Sequence, residues 1–199
     1  MTLDDMCMMA ARESDRYDEF EKTEGSDGKM TYEDDALHYF KVFRDAINEA
    51  YFEVARTRCE PDIYTLTQVD DEGKINLEYL YPLPYSVKNV LNFSKTQAVR
   101  FEFETKFVLV TDAKPGDEVY VYYNYMPDRL EQLNDEPIYP ESIVDPMVYV
   151  SLAVARMWQS EKKLSLYESW MQNYRALLYA VRPSMRGGNL RRIPRRLFR

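Results

Sequence analysis

Apolar residues recur along this chain at two different periods, and the changes between them divide the sequence. From Phe40 through Phe43, Ile47, Ala50, Tyr51 and Val54 they step by three or four, which predicts a long helix with one apolar stripe that stops at Pro61. Upstream, residues 1 to 22 predict a first helix. The polar stretch KTEGSDGKM ends it, with Gly25 and Gly28 favouring a loop. Thr31 then opens a TYED capping box, its hydroxyl set to accept from a free backbone N–H while Asp34 answers back.

Beyond Pro61 the period becomes two. The segments IYTLTQV and KINLEY flank DDEG and predict a hairpin with Gly73 in its turn. AVRFEFETKFVLV is expected as one strand, placing Val99, Phe101, Phe103, Phe107 and Leu109 on one face and Arg100, Glu102, Glu104 and Lys106 on the other. After the KPGDE turn, VYVYYNY supplies a further strand with Val119, Val121 and Tyr123 on a common side. Tyr120 and Tyr122 fall on the opposite side, so both faces of this strand need cover, from helices or from a neighbouring subunit.

After Pro127 the helical period returns. SIVD repeats the capping-box form, and Pro146 is tolerated near a first turn because the early N–H groups have no intrahelical acceptor. Met147 to Trp158 is apolar nearly all round and predicts the most buried helix. Leu164, Tyr167, Trp170, Met171, Tyr174, Leu177, Leu178 and Val181 form the stripe of a last helix. The expected class is α+β. Helices from residues 1–60 and 127–182 form one bundle, residues 61–126 are an inserted antiparallel sheet, and residues 183–199 are an extended basic tail.

Composition adds size and charge to this pattern. The 199 residues, 45% of them hydrophobic, suffice for one domain or one domain with an insertion. No window approaches the ~18 uninterrupted apolar residues of a membrane span, and the acid-interrupted first residues predict no secretory leader. The net charge of -8 is unevenly spread. All seven arginines from Arg182 onward lie in a segment without an acid, which leaves 19 positive residues against 34 acids in the rest of the chain.

Candidate chemistry is sparse. The single histidine, His38, sits inside the long helix beside Tyr39 and Phe40 and is expected in the core or at an interface. Cys7 and Cys59 lack metal-ligand spacing and predict buried or incidental thiols, so no metal or cofactor is expected. The acids fall in runs such as YEDD and DDEG, typical of solvated turns. Gly187 and Gly188 follow no strand and precede no GKS or GKT, so they make no phosphate loop. The sequence does not read as an enzyme.

The 17 tyrosines and the arginine segment point instead to contacts. Tyrosine combines a large apolar ring with a polar tip and is enriched where proteins meet. The arginine segment has three readings: a solvated end, a nucleic-acid arm that gains from counterion release, or a docking peptide. Leu190, Ile193, Leu197 and Phe198 are interleaved with Arg186, Arg191, Arg192, Arg195, Arg196 and Arg199, and Pro194 breaks any helix. These apolar anchors favour docking in an extended form.

The stretch EVYVYYNYMPDRLEQLNDEPIYPESIVDPMVYVSLAVARMWQ resembles the adaptor proteins of tailed bacteriophages, the connectors that form a ring beneath the portal. The shared features are a terminal aromatic strand, Val119 to Tyr125; Pro127 shortly after it; an acidic linker, Asp135 to Pro140; and a helix pair around Ala153 and Trp170. The likeness extends over about residues 36 to 182. In size and in helix, sheet, helix order the chain is similar to the tail tubular protein A type of short-tailed phages, while its full N-terminal helix departs from the shorter versions.

What the resemblance implies is a structural virion protein with no catalytic residue and no cofactor. It would form a closed ring of about twelve subunits at the head-tail junction, assembled from chains made in the host bacterial cytoplasm. The portal protein would bind one side, through the segment from Arg186 to Arg199, and a tail or nozzle protein the other. Tyr120 and Tyr122 would lie at subunit contacts. Genomic DNA would pass through the ring without specific binding, helped by an acidic lumen that repels it. The alternative is a nucleic-acid-binding accessory protein that uses the arginine-rich arm.

Overall fold

A computed structural model of the chain describes residues 1–20, 22–24, 30–32, 34–58 and 60–181. The fold is α+β: among the described residues, four α-helices with antiparallel sheets. The chain divides into two compact units, one made of residues up to 59 together with those from 129 on, the other of Glu60–Asp128.

In the helical unit, α1 (Leu3–Glu13) begins at a capping box that the sequence reading passed over. The Thr2 hydroxyl accepts from the Asp5 N–H at 3.2 Å, and the Asp5 carboxylate accepts from the Thr2 N–H at 3.0 Å. The helix stops well short of residue 22. Asp15 takes the left-handed conformation (φ 57°), and the Arg16 and Asp15 N–H groups close back on the carbonyls of Ala11 and Arg12. Because this position usually carries glycine, an aspartate there gave no sequence signal. A 3-10 turn (Tyr17–Glu19) and two short paired strands follow, β1 (Lys22–Glu24) and β2 (Met30–Tyr32). Thr31 is thus a strand residue paired with Thr23, its expected capping bond rests on side chains outside those described, and Gly25 and Gly28 lie outside the described residues.

The long helix α2 (Asp34–Thr57) buries Phe40, Phe43, Ile47, Ala50, Tyr51 and Val54, the predicted stripe. Helix α3 (Met147–Ser160) is buried nearly all round and packs against α1, α2 and the last helix, α4 (Leu164–Ala180). It is the axis of the unit. Its start differs from the expected Ser142 cap: the chain turns once more, and the Asp145 carboxylate accepts from the Met147 N–H at 2.9 Å. It ends like α1, with Lys162 left-handed (φ 61°). On α4 the stripe is less buried than expected; Tyr174 and Leu178 are buried, whereas Leu164 is exposed.

The β unit holds two sheets. Strands β3 (Asp62–Gln68), β9 (Glu118–Tyr125), β5 (Pro84–Asn92) and β6 (Ala98–Val99) form one in the order β3-β9-β5-β6. Strands β4 (Lys74–Asn76), β8 (Val108–Thr111) and β7 (Phe101–Thr105) form the other in the order β4-β8-β7. Their inner faces share a core of Val90, Val119, Val121 and Tyr123 from the first sheet and Ile75 and Leu109 from the second.

Two strand expectations are corrected here. The DDEG turn forms, with Gly73 at φ +78° and the Asp70 carboxylate accepting from Glu72 and Lys74, but the flanking strands do not pair as a hairpin. β3 pairs with β9, and β4 with β8. Burying Ile75 in the shared core draws β4 into the second sheet, and a local turn signal does not encode that long-range choice. AVRFEFETKFVLV is likewise three strands, since the chain changes sheets at Arg100 and folds back between Thr105 and Val108.

Candidate assembly surface

Strand β9 is central in its sheet, so alternation places Val119, Val121 and Tyr123 in the core and Tyr120 and Tyr122 on the outer face. The register sets Tyr122 opposite Tyr64, and Tyr120 opposite Leu66. The Tyr64 and Tyr122 rings stack with centroids 4.3 Å apart and planes 12° apart. Tyr120 lies parallel to Phe93 at 6.3 Å. Lysines complete the layer: Lys95 Nζ stands 4.0 Å from the Tyr120 centroid and 5.3 Å from that of Tyr64, and Lys88 Nζ stands 5.2 Å from that of Tyr122.

An anionic anchor holds this layer in register. The Asp62 carboxylate accepts from the Tyr122 hydroxyl at 2.5 Å and from Lys88 at 3.1 Å. Partial burial, helped by the Asp62 charge, raises the pKa of Tyr64, so this ring stays neutral through the physiological range. The outer face is thus partly self-covered by stacked rings and lysine stems, a third answer beside helices or a neighbour. Leu66 and Phe93 at its rim remain exposed.

A second apolar surface lies on the same unit. Between the 3-10 turn Leu77–Tyr79 and β5, the residues Tyr79, Tyr81, Leu83 and Tyr85 point outward at alternate positions, with 84%, 75%, 51% and 64% of their surfaces exposed. No charged residue occurs from 79 to 87. The Tyr81 hydroxyl donates to Asp128 at 2.6 Å, which steadies its ring without covering it. The sequence reading missed this stripe although YLYPLPY carries its period-two signal, because the prolines at 82 and 84 mask a strand pattern.

The groups weighed for chemistry do not converge. His38 is exposed on α2, edge-on to Tyr39 at 5.7 Å, so of its two expected places, core or interface, the core is ruled out. The i to i+4 stripe of α2 runs through Phe40 and Phe43, and residue 38 falls off it. Cys7 is buried in the helical core, and Cys59 lies outside the described residues. Among the described residues no group of three or more histidine, cysteine, aspartate or glutamate side chains could hold a metal ion, and no helix is long and apolar enough to cross a membrane.

Each unit carries a concavity. One of about 230 Å³ is lined by Met6, Ile138, Tyr139 and Tyr149 with Glu136 and Glu141 at Met1, and both carboxylates face the Met1 amine. The other, of about 660 Å³, is lined by Phe93, Asp112, Asp117 and Glu118 among others. Asp112 accepts from the Arg100 N–H and Asp117 from the Lys114 N–H, so these carboxylates are engaged in turns.

The segment expected to dock, Arg186, Leu190, Arg191, Arg192, Ile193, Arg195, Arg196, Leu197, Phe198 and Arg199, lies outside the described residues. No family model matches the chain, and no curated protein matches it in sequence.

Proposed function

We propose that this protein is a ring-forming structural adaptor of a tailed bacteriophage. It joins the portal at the capsid vertex to the tail and forms part of the channel through which DNA leaves. The observation that carries the reading is the aromatic outer face of the β3-β9-β5-β6 sheet. It is an ordered surface of stacked tyrosines with an exposed apolar rim at Leu66 and Phe93, suited to a protein contact. The sequence likeness over residues 36 to 182 and the α+β order of the chain support it further. The adaptor acts by geometry, without a cofactor, at the virion head-tail junction.

The runner-up is a nucleic-acid-binding accessory protein, favoured by one observation: seven arginines without an acid in the last 18 residues. Salt separates the two readings. Phosphate binding weakens steeply with salt through counterion uptake, whereas an apolar-anchored dock weakens less. The deciding experiment is electron microscopy of the purified protein, alone and mixed with portal particles, at two salt concentrations. Rings seated on the portal at both concentrations are expected. A protein that stays monomeric with portal but binds DNA at low salt would replace the adaptor with the runner-up.

A further inference from the structure

Resting on the ring reading above, we propose that the Tyr79–Tyr85 stripe is the surface by which one copy of this chain holds the next. It seats on the neighbour's β3 edge and on the apolar rim of that sheet at Leu66 and Phe93. Three observations lead to it. First, four large side chains are exposed at alternate positions over seven residues, a concentration of apolar surface of the kind that marks a protein contact. Tyrosine at three of the four positions adds ring area with a polar tip, the composition of interface anchors.

Second, the charge pattern selects the occupant. With no cation from residue 79 to 87 the stripe offers nothing to phosphate, and to the arginine segment of this chain it offers rings rather than free carboxylates, since Asp128 beside it already accepts from the Tyr81 hydroxyl. Its partner must itself be uncharged and apolar over a similar length. Third, the same unit carries such a surface. β3 is an edge strand whose backbone pairs with β9 alone among the described residues, and after Asp62, whose carboxylate is held by Tyr122 and Lys88, its residues Ile63 to Gln68 contain no charge, no proline and no bulge. Natural sheets usually blunt an open edge with one of those devices, so an unprotected edge reads as a pairing surface. The start of β5 is blunted in this way, by Pro84 and by register shifts before Ser86 and before Asn89.

One chain therefore presents an apolar stripe and, elsewhere, a strand edge with an apolar rim beside Lys95, and a contact between unlike surfaces of identical copies is heterologous. Such a contact repeats head to tail and closes into a ring when its rotation allows. This is the symmetry that an adaptor ring requires.

The test uses the full-length chain. A benzophenone amino acid replaces Tyr79, and unlabelled protein is mixed with nitrogen-15-labelled protein so that links within and between chains separate by mass. Links between chains that map to residues 62–68 or to Phe93 are expected. In parallel, Tyr79→Ser with Leu83→Ser should raise the concentration needed for assembly at least tenfold, with an unchanged circular dichroism spectrum and melting temperature, because both side chains are more than half exposed. Assembly of the double variant at the wild-type concentration, or links confined within chains, would overturn the contact while leaving the ring intact. A wild-type chain that stays monomeric even on portal particles would overturn both the contact and the ring.

Discussion

Asn48 holds Leu130 by both its backbone N–H and its backbone carbonyl. The buried Asn48 amide donates to the Leu130 carbonyl at 2.9 Å and its oxygen accepts from the Leu130 N–H at 2.8 Å. The side chain thereby mimics a strand neighbour for a segment that has none. It fixes to α2 the point at which the chain re-enters the helical unit, 82 residues later in sequence. Beyond it, Leu133 and Asp135 carbonyls accept from the first N–H groups of α1, and the Tyr51 hydroxyl accepts from Ile138. An irregular segment is ordered by polar groups on regular ones.

Replacing Asn48 by alanine should cost about 2 to 4 kcal/mol, because two buried backbone groups lose their partners at once and water has little access to them. Urea unfolding of Asn48→Ala against wild type measures this. Asn48→Asp should be nearly as damaging, since a carboxylate cannot donate to the Leu130 carbonyl. A loss below about 0.5 kcal/mol in either variant, typical of surface changes, would show that the clamp is incidental.

Asn48 also marks how far the sequence could be read. The stripes of α2 and α3 were legible because burial repeats with the helical period, and alternation in β9 was legible for the same reason. Asn48 lies beside Ile47 in the α2 pattern, and nothing local signals that its partner is residue 130. The two left-handed helix ends at Asp15 and Lys162 lacked the usual glycine, so α1 was read too long. In the β unit the glycine turns at Gly73 and Gly116 were legible, whereas the fold-back between Thr105 and Val108 and the strand partners were not, because β3 and β4 diverge to satisfy a core assembled from distant residues. At the candidate surface, Tyr120 and Tyr122 were readable from alternation, whereas Tyr64, Lys88 and Lys95 became visible only with the β3-β9-β5 register.

Tyr174 on α4 donates to Glu53 on α2 at 2.5 Å, and burial together with this bond raises its pKa far above the ordinary tyrosine value. The folded protein therefore holds this proton where the unfolded chain releases it. Stability from this group is fully present below pH ~10, the unfolded value, and declines as pH rises above it toward the folded value. Tyr174→Phe should lower stability at pH 7 by about 1.5 to 3 kcal/mol through the lost bond to a charged acceptor. It should also flatten the decline between pH 9 and 11. Denaturant melts across that range test both parts, and an unchanged slope would mean that other tyrosines dominate.

The outer sheet face should matter to assembly more than to folding. Tyr120→Ser with Tyr122→Ser removes the stack on Tyr64 and the bond to Asp62, each exposed on one side. The unit should remain folded with a loss of about 1 to 3 kcal/mol, while rings on micrographs become rare. Rings as abundant as wild type in a folded double variant would move the subunit contact away from these rings.

The final prediction concerns the segment after Pro183, whose apolar residues are spaced among like charges. Ile193, Leu197 and Phe198 can each gain ~1.5 to 3 kcal/mol on full burial before ordering costs, whereas exposed arginine pairs add only ~0 to 1 kcal/mol apiece. The anchors should then decide affinity, and the charges should chiefly set orientation and encounter rate. A chain truncated after Pro183 should keep the wild-type melting temperature yet fail to join portal-bearing heads. Leu197→Asp with Phe198→Asp should nearly reproduce the truncation, because it removes two anchors and leaves every arginine in place. If the double variant binds heads as tightly as wild type while the truncation does not, charge rather than burial holds the segment. If instead the isolated segment binds DNA but not portal, the arm reading takes the place of docking.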